Sequence, residues 1–259
     1  MKNKIAISTL RGFSVDESTK FALDCGFDGL EIQVDYLADD EKMLGNEIKH
    51  AINSGLDVSL HAPCGDINIS ALNKGIREES VAQVKRAIEL AEKFDLRVVT
   101  FHPGRLSSAR EKKSDKWSVL LDSVSKIAEY AKLKKVYVAL ENMELRKNEL
   151  VLTIDDLNKF EEIARDNNFF GVTLDFSHFA TNKIYPQYMT ELKVPIYNVH
   201  ISQCIASKPH YPLYEAGEIN IGEVFNFLEK IDYRSVVVTE LKSIFDKNVY
   251  IKSKDFCCI

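Results

Sequence analysis

No CxxC pair, glycine-rich phosphate turn, low-complexity tract or apolar run of membrane-spanning length occurs in this chain of 259 residues. The five cysteines, Cys25, Cys64, Cys204, Cys257 and Cys258, are scattered and odd in number. They offer neither a disulfide framework nor a zinc ribbon. The opening "MKNKIAIS" runs into a strand rather than a signal sequence. A reduced cytoplasm is therefore the expected address, and no membrane partner is expected. The tail "KDFCCI" has Phe256 where a prenylation signal needs a cysteine four residues from the end, so Cys257 and Cys258 are expected to lie exposed on a frayed end. No Pro/Gly/Ser-rich linker or shift of composition marks a boundary, so residues 1–259 are expected to form a single domain. The net charge of −5 argues against a chain whose main business is coating nucleic acid, although a local basic patch remains compatible with it.

What the sequence does contain is alternation. Short β-rich runs occur at 4–8, 29–33, 57–61, 97–102, 135–141, 170–175, 196–202 and 235–241, separated by longer helical stretches. Several runs are apolar at consecutive positions, as parallel strands buried on both faces require. In "IREESVAQVKRAIELAEKF", Ile76, Val81, Val84, Ile88, Ala91 and Phe94 mark one helical face. "TIDDLNKFEEIARDN" opens on Thr153, an N-cap candidate followed by acids. Eight strand–helix units in this length predict an α/β fold, a single (β/α)8 TIM barrel. The competing doubly wound sheet normally has a glycine-rich turn after strand one, where this chain reads "STLRGFS".

Chemistry in such a barrel collects at the C-terminal ends of the strands. There the sequence places His61, His102, Glu141, Asp175 with His178, His200 and Glu240, with Glu31 near the end of strand two. Of the remaining histidines, His50 falls in a helix and His210 in the long loop after strand seven. Each position has an ordinary structural use: a hydrogen-bonded histidine, a capping aspartate, a polar turn at Glu141–Asn142. Together they resist that explanation, because buried carboxylates are costly unless paired or metal-bound. A mixed carboxylate and imidazole set suits one divalent ion, Mn²⁺, Zn²⁺, Co²⁺ or Mg²⁺, without choosing among them.

The motifs "HAP", "FHPG", "ALENM", "LDFSH", "NVHIS" and "TELK", in this order along nearly the whole chain, resemble the xylose-isomerase-like barrel superfamily. That group includes ketose 3-epimerases, other sugar (phosphate) isomerases and endonuclease IV. Resemblance to the sugar enzymes implies Glu141, Asp175, His200 and Glu240 as ligands of one metal. It also implies the two glutamates as an acid–base pair working through an enediolate, with His178 near a small sugar substrate. Resemblance to endonuclease IV implies a cluster of up to three Zn²⁺ that adds His61, His102 and His210, and abasic DNA as substrate. That pattern needs an acid where this chain has Lys208 in "KPH", and a lysine cannot chelate a metal as a carboxylate does. Related barrels often pair, so a homo-oligomer is compatible with the resemblance. A barrel that binds metal without catalysis is a third reading, and the presence of both Glu141 and Glu240 counts against it.

Rim charges bear on the substrate. Asp35, Asp39, Asp40 and Glu41 after strand two would repel a phosphate backbone. Arg105, Arg110, Lys112 and Lys113 after strand four read either as a solvated loop or as a contact for phosphate, to which Lys208 and Lys242 could add.

Overall fold

Runs such as "VTF", "VVT" and "FGVTLD" have β-branched or apolar residues at nearly every position, and all of their residues are buried. Strands of this kind need cover on both faces, which a closed barrel ringed by helices provides. In the computed structural model, which describes residues 3–36, 41–242 and 246–257, that is the architecture. The barrel strands are β1 (Ile5–Ser8), β2 (Gly29–Gln33), β3 (Asp57–His61), β4 (Val99–Phe101), β5 (Val138–Glu141), β6 (Phe170–Asp175), β7 (Ile196–Ile201) and β10 (Val237–Thr239). They pair in parallel in the order β1-β10-β7-β6-β5-β4-β3-β2, and the β1–β2 pairing closes the ring. The chain is a (β/α)8 barrel.

The helices are α1 (Val15–Asp24), α2 (Glu41–Asn53), α3 (Lys74–Phe94), α4 (Lys113–Lys134), α5 (Ile154–Asn158), α6 (Glu161–Asp166), α7 (Phe176–Thr181), α8 (Ile221–Lys230) and α9 (Lys247–Phe256). Local chemistry sets several ends. Ser14 and Glu17 form a capping box at α1, and Thr153 and Asp156 form another at α5. Asp95 and Lys135 end α3 and α4 in the left-handed conformation, so the strands that follow begin later than the apolar pattern suggests. Val81, Val84, Ile88 and Ala91 of α3 are buried as expected, whereas Ile76 is 50% exposed. It sits in the first turn, whose course is set by the Asn73 cap on its N–H and by Ser80 on its carbonyl.

Three expectations change with the structure. The stretch after β7 is a hairpin, β8 (Gln203–Ile205) with β9 (Lys208–Tyr211), rather than an open loop. Cys257 is half-buried against the core at the end of α9, not exposed on a frayed end. Its partner Cys258 lies outside the described residues, as do Asp39 and Asp40 of the acidic loop. Asp35 spends both carboxylate oxygens on a turn, accepting the N–H groups of Cys64 and Gly65. No helix among the described residues is long and apolar enough to cross a membrane.

Candidate metal centre

Register builds the site. Asp175, last in β6, pairs with His200 of β7, and β7 in turn pairs with β10, one residue past which Glu240 follows. Glu141 ends β5 beside Thr173 of β6. One ligand atom from each of Glu141, Asp175, His200 and Glu240 lies within 4.8 Å of all the others. The first three are buried, and the Glu240 side chain is 13% exposed.

The surroundings fit a cation. Among the described residues, every ion pair made by Glu141, Asp175 or Glu240 is to a histidine. Asp175 Oδ1 accepts from Ser177 Oγ and the His178 N–H, while its buried Oδ2 accepts no hydrogen bond. A buried carboxylate oxygen left this way is costly unless something positive meets it. Burial alone would raise the Glu141 carboxyl, but the imidazoles of His200, His102 and His61 hold it well below the usual carboxylate range. The reciprocal effect overcomes burial at the histidines. His61 is pushed up to about 9 by Glu141, Glu31 and Glu240. His200 is raised well above its ordinary value by Glu31, Glu240 and Glu141. His178 is raised by Asp175 and Glu141. The metal-free cluster is therefore held together by protons on imidazoles.

The other sequence-predicted residues surround this centre. His61 Nε2 and His102 Nε2 lie 3.3 and 3.1 Å from Glu141 Oε2. His178 Nε2 lies 3.3 Å from His210 Nε2, and the hairpin brings His210 back over the mouth. His61, Cys64 and His102 form a second group of converging ligand atoms, and Asp175, His178 and His210 a third. Cys64 is an addition that its place three residues after His61 could have signalled. Lys208 is exposed at the start of β9. Asn142, read as part of a polar turn, is buried and clamps Asp175, donating to its carbonyl and accepting its N–H, both at 2.9 Å. Glu31 does not join the mouth: it lies inside the barrel below His200, 2.8 Å from the ring nitrogen opposite the cluster.

A cavity of about 460 Å³ opens above the centre, lined by His61, His102, His178, His210 and Glu240. Arg105 and Lys242 line it too, as do Arg11 and Arg146, which the sequence reading passed over although each follows a strand closely. Arg110, Lys112 and Lys113 do not line it. Arg146 is ion-paired with Glu144.

A closed parallel barrel with a histidine–carboxylate cluster at its C-terminal mouth defines a class of (β/α)8 proteins with a candidate metal site at that end. Within that class, the chain belongs to the xylose isomerase-like TIM barrel family, whose model matches residues 19–256. The structure is similar to that of a D-tagatose 3-epimerase-like protein, with a TM-score of 0.83 and 25% identity over 97% of this chain and 94% of the other. An uncharacterised protein of Methanocaldococcus jannaschii is 29% identical over 207 residues, 77% of this chain and 68% of its own. A probable endonuclease 4 of Persephonella marina is 27% identical over 165 residues, 60% of this chain and 57% of its own.

Proposed function

We propose that the protein is a divalent-metal-dependent isomerase or epimerase acting on a sugar or sugar phosphate. The observation that carries this reading is the meeting of Glu141, Asp175, His200 and Glu240 at one point, with a buried Asp175 oxygen left without a hydrogen bond. When bound there, a cation supplies positive charge to the oxygens of the enediolate that forms as a proton leaves the carbon beside a carbonyl. The chain's own groups do the rest. Glu141 and Glu240 converge on the centre from two strands, Glu240 at the cavity wall, and are the carboxylates placed to remove and return the proton. Exchange through both glutamates inverts a carbon; shuttling by one between neighbouring carbons interconverts aldose and ketose.

A cavity of about 460 Å³ suits a monosaccharide. His61, His102, His178 and His210 line it as hydroxyl-orienting groups, and Arg105 and Lys242 offer cations to a phosphate. Similarity to the D-tagatose 3-epimerase-like structure supports this branch of the family. The test is turnover of ketose and aldose panels, free and phosphorylated, by metal-loaded protein. Glu141→Gln and Glu240→Gln should each lower kcat by at least about 100-fold. Normal turnover in both variants would refute the assigned roles.

The two further ligand groups favour a second reading, a metal-dependent phosphodiesterase acting on abasic DNA, to which the relative from Persephonella marina also points. Three tightly bound metals together with cleavage at abasic sites would reverse the ranking. One tightly bound metal and no cleavage upholds the sugar reading.

A further inference from the structure

Glu31 is an anomaly of the barrel interior, a space normally packed with branched apolar side chains. In "GLEIQ", Leu30 and Ile32 join the apolar core while Glu31 meets groups on other strands, and it is wholly buried. Its strand β2 is not a neighbour of β7, so the contact with His200 crosses the inside of the barrel. Resting on the reading of the four-residue cluster as a metal site, we propose that Glu31 is a positioning residue for His200, fixing its Nε2–H so that Nδ1 faces the metal position.

Charge and hydrogen-bond accounting together favour one arrangement. From below, the Arg97 guanidinium donates to Asn198 Oδ1 at 3.0 Å and to the Tyr197 carbonyl and Ser235 Oγ. With its oxygen engaged, the Asn198 amide turns its NH2 upward, donating to Glu31 Oε2 at 2.8 Å and to Thr100 Oγ1 at 3.0 Å. Asn198 Nδ2 also lies 3.1 Å from His200 Nε2, but both of its hydrogens are committed. The remaining contact of Nε2 is Glu31 Oε1, an ion-pair approach at 2.8 Å that lies off the hydrogen-bond line in the metal-free structure, and a bare nitrogen lone pair that close to a carboxylate would be repelled. Nε2 therefore carries a hydrogen. On the other side of the ring, Nδ1 lies 3.1 Å from Glu141 Oε1 and 3.7 Å from Glu240 Oε2. A carboxylate behind a ligating imidazole fixes its tautomer and strengthens it as a donor to metal. An amide in place of Glu31 could present its NH2 to Nε2, and the other tautomer, with a hydrogen on the metal side, would become available.

The experiment uses full-length protein in two measurements. In wild-type protein loaded with cadmium and carrying nitrogen-labelled histidine, heteronuclear NMR should show a cadmium coupling at Nδ1 of His200 and a retained hydrogen on its Nε2. For Glu31→Gln, metal affinity by competition with a chromophoric chelator should fall about 10–100-fold. Ser59→Ala, which removes a different bond to Glu31 (Ser59 Oγ to Oε2, 3.1 Å), should keep wild-type affinity. Should Glu31→Gln not fold, the wild-type spectrum decides alone. Cadmium on Nε2 of His200, or wild-type affinity in a folded Glu31→Gln, overturns the positioning role and leaves the metal reading in place. A wild-type protein that takes up no divalent ion overturns both.

Discussion

At the scale of single residues, Asn142 shows how a neutral side chain can hold a charged site in place. It is fully buried next to Glu141, and its amide bridges the end of β5 to the backbone of Asp175. Its own carbonyl accepts from His178 Nδ1 at 2.9 Å, so three candidate site residues depend on its position. Asn142→Ala leaves the buried N–H of Asp175 without a partner, whereas its C=O, at the N-cap of α7, keeps the first bond of that helix. The expected cost is about 1–3 kcal/mol, read as a lower urea midpoint at unchanged slope. Metal affinity should fall as well, because Asp175 loses its anchor. A variant as stable as the wild type would show that the clamp is dispensable. The ends of strands were legible from the sequence because a carboxylate or imidazole closing an apolar run is costly without a reason. The level of each residue inside the barrel was not. Glu31 precedes the end of β2 by only two residues, and that spacing places it beneath the mouth rather than in it.

Among elements, β6 and β7 matter most, since they carry Asp175 and His200 side by side. Their pairing shifts register between Val172 and Thr173, just after Gly171. A Cβ at Gly171 would meet the Pro195 carbonyl oxygen at 2.5 Å and the Tyr197 ring at 2.7 Å. Backbone cannot yield as a flexible side chain does, so Gly171→Ala must push the strands apart. Overpacking of this kind costs about 1–3 kcal/mol, and here it should also weaken metal binding. Thermal unfolding and metal titration of the same variant check both, and unchanged values in the two would remove the register argument. The β8–β9 hairpin was illegible for a related reason. Ala206 and Ser207 hold its turn with positive φ of 51° and 58°, a conformation that the usual Asn-Gly or Asp-Gly signal would have announced. His210, also at positive φ (69°), is held over the mouth by its N–H bond to Ser202 Oγ. The barrel strands gave themselves away by burial on both faces; this hairpin has no such pattern.

For the molecule as a whole, the cluster makes stability depend on pH in opposite senses with and without metal. Without metal, His61 titrates near 9 in the folded state against 6.5 for the free group. A group raised on folding stabilises fully below its unfolded value, and that contribution disappears as pH climbs through the folded value. Metal-free protein should therefore lose melting temperature between pH 6.5 and about 9. His178 and His200 act in the same direction. Glu141, lowered on folding, works the other way at acid pH: its contribution is present above the ordinary value of 4.5 and is lost as pH falls through its lowered one. A divalent ion taken up by Glu141 competes with the protons on these imidazoles, so binding should release protons and tighten as pH rises. Protein in excess Mn²⁺ or Zn²⁺ should thus hold or gain melting temperature over the interval in which the metal-free form declines. Parallel unfolding curves across that interval, with and without metal, would mean that the imidazole protons and the ion do not share the carboxylate of Glu141, and the centre would have to be drawn elsewhere.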